Sequence, residues 1–143
     1  MKLFSKVIVT LLLVSYVFSS CGVIFGGSRF SGSIIAKNHP DAYIYVNGNS
    51  LGKGTAIQSF PRNRPLAVEL REEGCAPVTK TYDNTFRTGN FIASLLFWGL
   101  LGVVVDLGTG ASFKPDHKHN PAVLRMSDKN FVFTVDFDGC PVN

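Results

Sequence analysis

Residues Ala42-Tyr43-Ile44-Tyr45-Val46-Asn47-Gly48 decide the fold. Ala42, Ile44 and Val46 alternate with Tyr43, Tyr45 and Asn47, the period-two spacing that places apolar side chains on one face of a strand. Asn47-Gly48 ends that strand, because both residues tolerate the positive φ of a tight reversal. Gly52 and Gly54 extend the irregular region, and residues 55–60 predict a second strand. Pro61-Arg62-Asn63-Arg64-Pro65 breaks it, since proline cannot donate to a ladder.

The same alternation returns twice. Leu66, Val68 and Leu70 alternate with Ala67, Glu69 and Arg71 up to a turn at Glu73-Gly74, and residues 78–82 are expected to pair back across it. Phe131, Phe133, Val135 and Phe137 share one face of the last strand, with Thr134, Asp136 and Asp138 on the other. Burying three aromatic rings on one face is a large contribution at roughly 25 cal/mol per Å². Short strands at regular spacing, separated by turn residues, predict a mainly β domain, a small antiparallel β-sandwich over residues 33–140.

One stretch departs from that pattern. Residues 91–105, FIASLLFWGLLGVVV, carry no charge and read as an apolar helix inserted in the β domain within residues 90–111. A helix of 15 residues is roughly 22 Å long, short of the roughly 30 Å hydrocarbon core of a bilayer. A full span would also bury Asp106. Three readings follow: burial against the sheet, re-entrant or interfacial insertion, or helix-on-helix packing in a homo-oligomer. Phe91, Leu95 and Trp98 are the candidate contact residues, with Gly99 and Gly102 at a spacing that permits close helix approach.

The N-terminus reads as a secretory signal over residues 1–20. Lys2 and Lys6 precede a short apolar core, residues 7–18, and Ser19-Ser20 form a small-residue exit. The Ser19-Ser20-Cys21-Gly22 junction resembles a bacterial lipoprotein processing site, which implies that Cys21 is the lipidated first residue of the mature protein. A plain cleaved signal is the alternative. Residues 21–32 are then a glycine- and serine-rich tether. Two cysteines remain, Cys75 and Cys140, an even pair for an oxidising compartment. A bridge between them closes a loop of 65 residues, worth roughly 4 kcal/mol; two free thiols are the alternative. The net charge of +4 falls to +2 without Lys2 and Lys6, too mild and too scattered for a nucleic-acid surface.

Pro40-Asp41-Ala42-Tyr43-Ile44-Tyr45-Val46-Asn47-Gly48, followed by Leu51-Gly52-Lys53-Gly54-Thr55-Ala56, resembles the signature of the PEGA domain. Here Asp41 stands for the glutamate, the glycine before Ala42 is missing, and Ala56 replaces the final proline. The lipidated start and the glycine-punctuated segment, with Asp106-Leu107-Gly108-Thr109-Gly110-Ala111, are similar to those of small bacterial lipoproteins carrying that domain. The resemblance spans residues 21 to about 137 and implies an all-β envelope module without catalytic residues.

Groupings that carry chemistry are sparse. Gly48 to Gly54 has one residue too few between its glycines for a phosphate-binding loop, and Gly54 occupies the position of the magnesium-binding hydroxyl. His117 and His119 share a face if extended, but a tetrahedral metal site would need His39 or Asp116 as recruits. The flanking Pro115 and Pro121 read as an exposed loop, so no metal or other cofactor is expected. There is no Gly-x-Ser-x-Gly elbow, and no enzymatic activity is expected. Tyr43, Tyr45 and Tyr82 form a candidate aromatic face for a glycan or peptide.

The expectation is therefore a lipid-anchored, non-enzymatic module of the cell envelope, structural or binding peptidoglycan or an envelope protein. The alternative acts through residues 91–105 as a membrane-inserting or oligomerising element. Gly22 is not an acidic retention signal, which by resemblance to the enterobacterial sorting rule points to the outer membrane, facing the periplasm.

Overall fold

The computed structural model describes Lys6, Ile8 and residues 27–141, without the side chains of Asn90, Ser94, Phe97 and Trp98. The fold is mainly β. One four-stranded sheet has β4 (Thr55–Pro61), β1 (Arg29–Lys37), β10 (Asn130–Asp136) and β9 (Val123–Arg125) in that order. A second has β3 (Asn49–Lys53), β2 (Tyr43–Val46), β5 (Leu66–Arg71) and β6 (Val78–Tyr82). A two-stranded ladder joins β7 (Asn84–Phe86) to β8 (Phe113–Pro115).

The alternation read from the sequence is the alternation of burial. Ile44 and Val46 of β2, Val68 and Leu70 of β5, and Phe131, Phe133 and Val135 of β10 all enter one hydrophobic cluster shared by the two four-stranded sheets. The Phe30 ring meets those of Phe60, Phe131 and Phe133 at 5.5–5.9 Å between centroids. Asn47 and Gly48 both have positive φ, as the turn between β2 and β3 requires. The Cys75–Cys140 disulfide forms, with Cα atoms 5.4 Å apart. It clips the corner after β5 to the end of β10 and so ties one large sheet to the other.

Three details differ from expectation. β1 begins at Arg29, inside the stretch read as tether, because Phe30 and Gly32 continue the inward face of Ile34 and Ala36. Gly32 is required there: a Cβ would lie 2.8 Å from the Phe60 ring. The β1–β10 pair is parallel, Ile34 opposite Phe133, so the first large sheet is mixed. Alternation reports which face is buried and carries no information about partner direction. Residues 49–53 form β3 despite Gly52, paired to β2 with a register shift between Ile44 and Tyr45 that absorbs the irregularity.

The apolar insertion is α1 (Thr88–Thr109), longer than the expected helix and broken at Gly99, whose φ of 61° and ψ of −153° are not helical. Its two ends meet. Phe86 pairs with Phe113 across the β7–β8 ladder, and the Arg87 amide donates to the Ser112 carbonyl at 2.7 Å. An unbroken helix of 22 residues would carry its end about 33 Å from its start. The chain returns to its starting point, so the two halves of α1 are limbs of a helical hairpin on a β-ladder stem, with the break at the tip. Gly110 closes the second limb in the left-handed conformation, its amide donating to the Leu107 carbonyl.

Candidate functional site

The hairpin is apolar on its outside. Leu100 and Leu101, next to the break, are 78% and 79% exposed, and Leu96, Val104, Ile92 and Leu95 also face outward. None of the described residues covers this patch, and such a patch is the mark of an interaction surface. No helix among the described residues is long and apolar enough to cross a membrane. Each limb is about 15 Å long, half the hydrocarbon thickness.

The expected contact residues divide. Leu95 is exposed, whereas Phe91 is half-buried with its ring 5.2 Å from that of Phe86 at the stem. Gly102 is buried in its own chain and Gly99 is the break itself, so the two glycines do not form a free groove for a neighbouring helix. Asp106 is buried at the foot of the second limb. It therefore lies inside the domain, where the apolar tip does not carry it.

A basic pocket of about 360 Å³ opens at the base of the hairpin, lined by Phe86, Arg87, Thr88, Gly89, Lys114, Lys118, Arg125 and Asp128. Four cations thus face one carboxylate. Arg125 pairs with Asp128, and the Arg87 guanidinium stands 3.7 Å from the same oxygen. The Arg87 side chain is only 10% exposed, and its second terminal nitrogen has no hydrogen-bond partner among the described residues. Burial, then the charges of Arg125, Lys118 and Arg87, hold the Lys114 ammonium below its usual pKa. Thr88 and Gly89 open the first limb, where no side chain of the cap residue bonds to the helix and no acidic residue balances the helix dipole.

Arg62 fastens this end of the molecule together. It is fully buried and donates through Nε to the Arg29 carbonyl at 3.3 Å, and through its terminal nitrogens to the carbonyls of Phe113 at 3.2 Å and Asp128 at 2.7 Å. Burial, then the charge of Arg87, lowers its pKa to about 10. The Arg62 amide also donates to the Ser28 carbonyl. The start of β1, the stem and the pocket wall therefore occupy one end of the domain.

No known protein family, curated protein or solved structure matches this chain.

The aromatic face is a correction. Tyr43 is exposed and Tyr45 half-buried, with Lys53 and Arg71 over their rings at 4.6 and 4.4 Å. Tyr82 is 3% exposed, sits against the Phe133 ring and donates its hydroxyl to the Thr134 carbonyl. It is a core residue because β6 turns its last side chain inward opposite Leu66. Cys21 lies outside the described residues.

His117 and His119 do not converge. His119 meets Asp116 at 2.9 Å, whereas His117 lies beside the Pro115 carbonyl and the Phe131 ring. His39 instead pairs with Glu72 at 2.7 Å, both shielded from solvent. Cys140 completes a group whose candidate ligand atoms lie within 4.8 Å of one another, but its sulfur is held in the disulfide and is no thiolate. The pocket, Arg62 and the His39–Glu72 pair are not legible in the sequence as sites. A signal for the pocket is nonetheless present: Arg87 stands shortly before the apolar run, and Lys114 and Lys118 follow where the inserted segment ends.

Proposed function

We propose that this protein is a lipid-anchored, non-enzymatic module of the bacterial cell envelope that rests on the membrane through its helical hairpin. The observation that carries the reading is the exposed apolar tip, Leu100 and Leu101, on limbs too short to span. The two four-stranded sheets sharing one core are, in this reading, a PEGA-like sandwich. Lipidated Cys21 lies seven residues before Ser28, a reach of about 25 Å at full extension. Because Ser28 and Arg29 are bonded to Arg62 beside the stem, the anchor and the hairpin belong to the same end of the molecule. The hairpin then dips into one leaflet, while Tyr43 and the outer face of the second sheet are left for a wall polymer or an envelope protein. The periplasmic leaflet of the outer membrane is the proposed location.

The test uses Trp98, the single tryptophan and a residue of the first limb. In vesicles containing brominated lipids, the full-length lipidated protein is expected to show a blue-shifted, strongly quenched fluorescence. Leu96→Glu with Leu100→Glu should abolish both. Unquenched emission in the wild type would sink the reading, and concentration-dependent cross-linking of unquenched protein would place a second copy on the hairpin instead.

A further inference from the structure

We propose that the pocket at the base of the hairpin binds the phosphate of an anionic phospholipid headgroup. The inference rests on the membrane reading above and assigns a ligand to a site which that reading leaves empty of chemistry. Arg87, Lys114, Lys118 and Arg125 converge there from three segments, and Asp128 offsets only part of their charge. The nearly buried Arg87 guanidinium keeps one nitrogen without a partner among the described residues, a desolvated donor that an anionic oxygen would satisfy. Burial first, and then the crowding of positive charge from Arg125, Lys118 and Arg87, lowers the Lys114 pKa.

The helix terminus adds directed donors. Thr88 and Gly89 line the pocket, the cap residue contributes no side-chain bond, and no described residue lies within 4 Å of where a Gly89 Cβ would stand. An oxyanion can therefore approach the first-turn amides, where the dipole favours it. A free phosphate would share this chemistry. Depth favours the lipid: with the tip in the hydrocarbon, a limb of about 15 Å brings the stem to headgroup level. The pocket is then presented to phosphates at high local concentration.

The experiment follows the Thr88 and Gly89 amide resonances of the full-length lipidated protein in neutral detergent micelles. Dihexanoyl phosphatidylglycerol is expected to shift both saturably, and the zwitterionic choline lipid to leave them in place. Lys114→Gln, Lys118→Gln and Arg125→Gln should each weaken the response roughly fivefold, with Lys37→Gln, at the far end of β1, as the unchanged control. An equal response to inorganic phosphate would overturn the lipid assignment, and the absence of any saturable shift would overturn the pocket. Paramagnetic lipid in the same micelles reports on the Leu100 and Leu101 resonances. Broadening there without a shift at Thr88 removes the pocket alone, whereas the loss of both removes the membrane reading as well.

Discussion

The Arg62 guanidinium donates to the carbonyl of Arg29. That bond fixes the start of the domain to a side chain which also holds Phe113 at the stem and Asp128 at the pocket wall. Replacing Arg62 by methionine removes the charge but leaves three carbonyls short of a donor, a loss of about 3 kcal/mol or more. Lysine cannot fork to three acceptors and should recover little. Urea unfolding of Arg62→Met and Arg62→Lys measures both: a wild-type midpoint for the methionine variant would show that the three bonds contribute nothing, and one for the lysine variant that a single ammonium replaces them.

Tyr82 makes stability fall in alkali. Burial, then the Asp136 charge, raises its pKa to about 12 from an ordinary 10. A group whose folded pKa is raised contributes fully below its unfolded pKa and loses that contribution as pH climbs through the folded value. The window is thus between pH 10 and about 12. Relative to Tyr82→Phe, the wild type should lose about 2 kcal/mol of unfolding free energy across it. Below about pH 9 the phenylalanine variant should lie about 1 kcal/mol below wild type, from the lost bond to Thr134. Parallel pH curves for the two proteins would refute the assignment.

The inward faces of β2, β5 and β10 are legible in the sequence because alternation maps directly onto burial. What escapes is whatever depends on a meeting across the fold. Tyr82 reads as exposed because an amphipathic side chain at a strand end carries no sign of which way it points. The parallel β1–β10 pairing joins distant segments, and alternation is blind to direction. Gly99 reads as an approach site for a second helix, since a glycine inside an apolar run signals close packing or a break equally well. The basic residues are scattered in sequence, yet Arg87 and Lys114 meet because α1 returns to its own starting point, and Arg125 joins them from β9, held by its pairing with β10.

The disulfide is expected to matter more than any single core contact. Cys75 and Cys140 close a loop of 65 residues and join the two large sheets. Cys75→Ala with Cys140→Ala should cost about 2–5 kcal/mol, read as a lower denaturant midpoint. The Glu72 carboxylate lies 3.8 Å from the Cys140 sulfur and pairs with His39, so the His39 ring protons should also shift on reduction. An unchanged midpoint in dithiothreitol would show that the bridge adds nothing.

Two glycines with positive φ separate steric from conformational cost. At Gly54 a Cβ would stand 2.5 Å from the Pro40 carbonyl oxygen, whereas at Gly48 it would meet nothing within 4 Å. Gly48→Ala carries only the left-handed backbone penalty, about 1 kcal/mol. Gly54→Ala adds a clash with backbone that cannot swing away, and should cost about 3 kcal/mol. Equal unfolding midpoints for the two variants would contradict this ordering.

Gly99 tests the hairpin itself. Its φ of 61° with ψ of −153° belongs to a region open almost solely to glycine, and a Cβ there would meet none of the described residues within 4 Å. The obstacle to alanine is therefore conformational alone, of order 1–3 kcal/mol. Alanine instead favours a continuous helix, and a continuous helix cannot keep Phe86 opposite Phe113. Gly99→Ala should therefore weaken the stem first. The Arg87 amide, bonded to Ser112, should lose protection against hydrogen exchange by roughly tenfold or more, while Phe133 in the centre of the first large sheet keeps its own. Unchanged protection at Arg87 would mean that the limbs fold back without the glycine conformation, and Gly99 would then have no part in closing the hairpin.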